Sequence, residues 1–183
     1  MKASLWLYPP SLSGRRLRSQ IEYLSECYAG SKPFEPHITL VGGIDIDSEE
    51  HAVTFCYHLQ QHLRGRYGSG ILCQFENELR SMTSGQGKIV WNQALVLVLK
   101  RNECFDRLTN DIHSILGKEV MYPPPLNEPH LSLYYGDHQV PPMNSVECPD
   151  DFISTTLGLW SCSPPSVEGV QQWKEIGSRI ELT

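Results

Sequence analysis

One hexapeptide occurs twice, nearly unchanged, about half a chain apart: Glu35-Pro36-His37-Ile38-Thr39-Leu40 and Glu128-Pro129-His130-Leu131-Ser132-Leu133. A chain that writes acid-Pro-His-aliphatic-hydroxyl-Leu twice is expected to build two related halves around one shared feature. The proline forces the residue before it into an extended conformation and marks the start of a strand. Side chains alternate along a strand, so His37 and Thr39 share one face while Ile38 and Leu40 take the other. His130 and Ser132 repeat the arrangement, with Leu131 and Leu133 behind. The aliphatic pairs belong to the core, which leaves two imidazoles and two hydroxyls facing a groove.

The surrounding sequence supports two matched halves. A strand at Leu5–Leu7 ends at Pro9-Pro10, and a helix at about 13–28 carries Leu17, Ile21 and Leu24 at helical spacing, with Ser11 or Ser13 as cap. A short extended approach then reaches the His37 strand, expected to stop at Gly42-Gly43. A second helix begins after the cap candidates Asp47 and Ser48, with an apolar stripe of Ala52, Cys56, Leu59 and Leu63. Strands are expected at about 70–79 and 88–99, joined by the polar run 81–87, a hairpin and candidate lid. Asn102 caps a third helix, the triple proline at 123–125 leads to the His130 strand, and two last strands fall at about 152–160 and 167–180. Trp6 precedes His37 by nearly the distance at which Leu97 precedes His130. The expected fold is α+β and bilobal: two pseudo-symmetric antiparallel or mixed sheets, outer helices and a central cleft, with residues 1–183 as one two-lobed domain.

Two histidines facing one another suit acid–base work, since one imidazole can be neutral and accept a proton while the other is charged and donates one. Hydroxyls two residues on can donate to the non-bridging oxygens of a phosphoryl group as its charge grows in the transition state. Base, acid and oxyanion donors together cover displacement at phosphorus without a metal or other cofactor.

The net charge of −6 and pI near 5.6 do not favour a long nucleic acid as partner. The basic groups Arg15-Arg16-Arg18 and Arg64/Arg66 read as solvated helix faces. No apolar run approaches the roughly 18 residues of a membrane span, and the N-terminus lacks a signal peptide's apolar core, so a cytoplasmic, monomeric protein is expected. Six dispersed cysteines without a Cys-x-x-Cys pair are expected to be reduced thiols. His51, His58 and His62 line one side of the second helix, but no glutamate lies between His58 and His62 as a zinc-protease helix requires. That stripe reads as a helix boundary, and no metal site is expected. No nucleotide-binding glycine loop or nucleophilic triad motif is present.

The tetrapeptides His37-Ile38-Thr39-Leu40 and His130-Leu131-Ser132-Leu133 resemble the paired His-x-Thr/Ser signature of the two-histidine phosphoesterases, and the chain is similar within them to the cyclic phosphodiesterases of fungi and plants. Leu5-Trp6-Leu7-Tyr8-Pro9-Pro10, Pro33-Phe34-Glu35-Pro36-His37 and the run from Pro129 to Tyr135 carry the rest of the likeness. The resemblance implies a bilobal α+β fold and metal-independent opening of ribose cyclic phosphates. ADP-ribose 1″,2″-cyclic phosphate would give ADP-ribose 1″-phosphate, and nucleoside 2′,3′-cyclic phosphates would give 2′-phosphates. It makes His37 and His130 the acid/base pair and Thr39 and Ser132 the phosphate binders. The base is assigned to His130 and the acid to His37, although the two halves are interchangeable on sequence. The resemblance also suggests a substrate contact at Tyr135, whereas strict alternation places Tyr134 on the His130 face and needs a bulge or a strand end to favour Tyr135. Trp91 is a candidate to stack on a base. The alternatives are an RNA-end-processing enzyme of the same superfamily, joining 2′-5′ ends or trimming 3′ ends, and a non-catalytic nucleotide-binding module.

Overall fold

The first strand shows how the sheet acquires two unlike faces. In β1 (Lys2–Leu7), Ala3, Leu5 and Leu7 are buried in the core, while Trp6 lies on the opposite side. A computed structural model describes residues 1–28, 30–83, 92–116, 128–136, 146–164 and 166–183. Two prolines end β1, because proline offers no amide hydrogen to a ladder. The helix α1 (Ser11–Cys27) follows at once, with Pro10 at its N-cap and no side-chain cap, so the expected serine cap is not used. Its buried stripe is Leu17, Ile21 and Leu24.

The strand β2 (Ile38–Asp45) runs through Gly42-Gly43 instead of stopping there. Gly43 takes a φ of 79°, open to glycine at little cost, and the β1–β2 register shifts twice along this ladder. Next come α2 (Glu49–Leu63), capped by Ser48, whose hydroxyl accepts from the His51 amide at 3.0 Å, then β3 (Ile71–Cys73), β4 (Phe75–Thr83) and β5 (Asn92–Leu99). The helix α3 (Glu103–Leu116) is capped as expected by Asn102, which accepts from the Phe105 amide at 3.0 Å. The strands β6 (His130–Tyr134), β7 (Phe152–Ser154) and β8 (Thr156–Ser161), a short 3-10 turn (Glu168–Gln172) and β9 (Lys174–Glu181) complete the described chain.

Among the described residues seven strands form one sheet in the order β4-β5-β6-β2-β1-β8-β9, and every pairing is antiparallel; β3 and β7 make a separate two-stranded sheet. The α+β class and the antiparallel sheets agree with expectation. The two expected lobe sheets are continuous, but their seam is a single registered pair, Ile38 with Leu131. Each half repeats strand-helix-strand, with β1-α1-β2 matched by β5-α3-β6. A helical crossover commonly joins parallel neighbours. Here α1 is about 25 Å long, and Ile38 at the start of β2 pairs with Leu7 at the end of β1, so β2 enters antiparallel. Buried residues of all three helices join one core with the aliphatic face of the sheet, including Leu5, Leu40, Leu97, Leu133 and Leu159. Trp6, Val96 and Val98 are buried outside that core, on the other face. Among the described residues no helix is long and apolar enough to cross a membrane, and all six cysteines are free thiols.

Candidate active site

The seam sets the site. Ile38 and Leu131 pair and point into the core, so their neighbours His37, Thr39, His130 and Ser132 point the other way. In this antiparallel register His37 faces Ser132 and Thr39 faces His130. The two imidazoles are then diagonal neighbours, roughly 7–8 Å apart at the backbone. His37, His130 and Ser132 are buried, and Thr39 is half-buried.

Both rings are held in the same way. His37 Nδ1 lies 2.6 Å from the Glu35 carbonyl oxygen, and His130 Nδ1 lies 3.0 Å from that of Glu128. A carbonyl only accepts, so each Nδ1 carries the hydrogen and each neutral ring leaves Nε2 unprotonated. Pro36 and Pro129 make this possible by holding the approach extended, which turns the carbonyl two residues back onto the ring.

The rings differ in their surroundings. His37 lies flat on Trp6, with centroids 3.5 Å apart and planes within 7°, and Trp6 stacks in turn on Trp160 at 4.4 Å. Trp160 donates its indole N–H to the Tyr8 hydroxyl, which donates to Glu175 at 3.0 Å, and Arg179 covers the Tyr8 ring. Gly158, opposite Trp6 in β8, has to be glycine because a Cβ there would strike the Tyr8 ring. Burial pushes the His37 imidazole down to about 3, and repulsion from His130 adds to the shift. Burial also lowers His130, opposed by its hydrogen bond to Glu128 and by the Glu128 charge. Both rings are therefore neutral at neutral pH.

This has a consequence for folding. His37 has a folded value below its unfolded one, so the unfolded chain binds more protons between about pH 3 and the ordinary histidine value near 6.5. Its contribution to stability is whole above that window and is lost as pH falls through it, at up to about 1.4 kcal/mol per pH unit. Urea unfolding from pH 6.5 to 4.5 is expected to show wild type losing more stability than His37→Asn. Equal slopes would contradict the burial of a neutral imidazole.

The strand β6 ends at Tyr134 and carries a bulge just before it, next to Tyr135. Leu95 pairs with Tyr134 but Val96 pairs with Ser132, which makes Leu133 an extra residue in β6. The slip sends Tyr134 to the helix side, against Tyr28. Tyr135 packs on Phe34 at 4.7 Å and Trp173 at 6.0 Å, and Phe34 meets the edge of His37. A Cβ at Gly30 would collide with the Tyr134 ring and the Tyr135 carbonyl, so glycine lets the segment after α1 cross this strand. Trp91 lies outside the described residues, as does most of the 81–87 run. Trp6, Trp160 and Trp173 supply the aromatic wall that the sequence reading missed. Its signal was in β1, where Trp6 falls out of phase with Leu5 and Leu7.

A cavity of about 190 Å³ beside His37 is walled by Trp6, Phe34, Trp160 and Trp173, with Arg18 at its edge. A larger one of about 460 Å³ lies between α1 and residues 147–150 and contains none of the motif side chains. Chemistry locates the site better than volume does. Among the described residues no cluster of three His, Cys, Asp or Glu could hold a metal ion; His51 sits beside Asp47 and His58 beside Tyr57.

Residues 1–78 match the family described as cyclic phosphodiesterase-like protein, a span that includes the first motif but not the second. No curated protein matches the chain. Among solved structures it is similar to TT0787 of Thermus thermophilus, at 16% identity and TM-score 0.57, covering 100% of this chain and 98% of that one. It is also similar to E. coli LigT, at 14% identity and TM-score 0.54 for the apo form, covering 100% and 97%. The LigT complex with 3′-AMP gives 13% identity and TM-score 0.55, covering 100% and 98%. At such identities the structures speak for the fold. With the motif pair and the match over the first 78 residues, they carry the resemblance to the two-histidine phosphoesterases.

Proposed function

We propose that this two-histidine, cyclic-phosphodiesterase-like chain is a phosphoesterase that opens cyclic phosphates on small nucleotides. One observation carries the reading: the histidine and hydroxyl of both motifs share one face across the seam, each ring with its Nδ1 tied back. The unprotonated Nε2 of one ring takes a proton from water as the water oxygen bonds to phosphorus. The Nε2–H of the other gives a proton to the ribose oxygen as its bond to phosphorus breaks. Thr39 and Ser132 donate to the non-bridging oxygens, where charge accumulates. These four side chains supply base, acid and oxyanion donors without a metal.

The base is His130 and the acid His37 in this reading. The indole face of Trp6 under His37 favours a cation there. Burial works against that charge, and an anionic phosphoryl group bound beside the ring works for it. The tryptophan-walled cavity next to His37 has the shape and chemistry to take a flat base, a role for which Trp91 is a further candidate, and Tyr135 packs behind two of its walls, Phe34 and Trp173. LigT is seen with 3′-AMP, a small nucleotide. A long nucleic acid would need a basic track, but the chain carries a net charge of −6, and Arg80 beside the cleft is occupied by three carboxylates.

Hydrolysis in EDTA tests the reading on 2′,3′-cyclic AMP, ADP-ribose 1″,2″-cyclic phosphate and an oligonucleotide with a cyclic end. Turnover of one or both small substrates, undiminished by EDTA, is expected. Turnover of the oligonucleotide alone favours RNA-end processing, and none at all favours a binding module.

A further inference from the structure

The glutamate of each motif is tied twice. Its backbone carbonyl holds the histidine, and its carboxylate meets an arginine from a distant element. Arg18 of α1 pairs with Glu35. Arg80 of β4 donates from Nη1 to Glu128 at 3.0 Å, and its Nη2 holds Glu76 and Glu78 at 2.9 Å each. These pairs are half-exposed, and a surface pair of this kind contributes about 0–1 kcal/mol. Stability therefore does not explain why the arrangement occurs in both halves, once from a helix and once from a strand. In each case it anchors the residue whose carbonyl aims an imidazole.

We propose that Arg18–Glu35 and Arg80–Glu128 are positioning pairs that fix the two imidazoles of the site, and that the Arg80–Glu128 pair also sets the electrostatic surroundings of His130. The inference rests on His37 and His130 being the acid–base pair. Among the described residues, the charged or titratable groups facing His130 are few. Glu128 lies on its own approach, His37 just before β2 across the seam, and Arg80 with Glu76 and Glu78 on β4. The neighbouring strand β5 presents Val96 and Val98. The negative charge of Glu128 favours protonated His130. Arg80, behind that carboxylate, opposes it.

The two partners should therefore act with opposite sign. NMR titration of ¹⁵N-labelled histidines in the free protein reads this without any substrate, so its failure is separable from failure of the phosphoesterase reading. Glu128→Gln is expected to move the His130 titration to lower pH by about half a pH unit, and Arg80→Gln to raise it by a similar amount. The double variant is expected to fall between them. Arg80→Lys, which keeps the charge and loses the forked geometry, should leave the titration in place and lower kcat. Arg18→Gln should mix the His37 tautomers, now held as Nδ1–H. Shifts of the same sign in the two His130 variants, or none in either with the folded spectrum retained, would overturn the proposal.

Discussion

His37→Ala and His130→Ala are each expected to lower turnover of a cyclic phosphate by roughly 10²- to 10⁴-fold while leaving the fold intact. The size follows from what each ring supplies. Without the base, water attacks unassisted; without the acid, the ribose oxygen leaves as an alkoxide. The two losses should not add. Once either ring is gone the concerted transfer is gone, and the double variant is expected to lie close to the worse single variant. Circular dichroism and urea midpoints check the fold, and single-turnover rates check the chemistry. A rate near wild type in either single variant would remove that histidine from the mechanism.

Trp6→Ala is expected to have the largest effect on stability and a substantial one on rate. The side chain is 1% exposed and sandwiched between His37 and Trp160. Its removal leaves a cavity with rigid walls, worth about 3–5 kcal/mol of unfolding free energy. His37 would then lose the surface against which its plane is set, leaving only the Glu35 carbonyl to aim it. A small misplacement of a reacting group costs roughly 10²-fold in rate. Trp6→Phe keeps a flat partner and should recover most of the rate with part of the stability. If Trp6→Ala unfolds at the wild-type midpoint and turns over normally, the stack does not position His37.

The motif pair was legible because its information is local. A proline fixes the strand start, alternation divides aliphatic from polar, and repetition signals a shared site. The same reasoning found α2 with its Ser48 cap and α3 with its Asn102 cap. Register was not legible. The Leu133 bulge that turns Tyr134 onto Tyr28 depends on how β5 and β6 pair, which no periodicity within β6 records. The β2 strand runs through Gly42-Gly43 because its ladder with β1 tolerates a positive φ there, although the dipeptide reads as a stop. The Trp6–Trp160 stack joins residues far apart in sequence, on strands whose adjacency emerges only from the assembled sheet. The continuity of the two halves at Ile38–Leu131 is likewise a tertiary fact.

The central claim is that two imidazoles divide one proton relay, and the pH dependence of kcat/KM on 2′,3′-cyclic AMP tests it most directly. One ring must be neutral and one protonated, so the profile should be bell-shaped. Burial lowers both rings in the free protein. The alkaline limb should therefore begin below the ordinary histidine value near 6.5 and fall about tenfold per pH unit above it. The limb of kcat should lie at higher pH, because the bound phosphoryl group favours the imidazolium. With chemistry shown to limit the rate, a profile that is flat or rises steadily from pH 5 to 9 would contradict the pairing of His37 with His130.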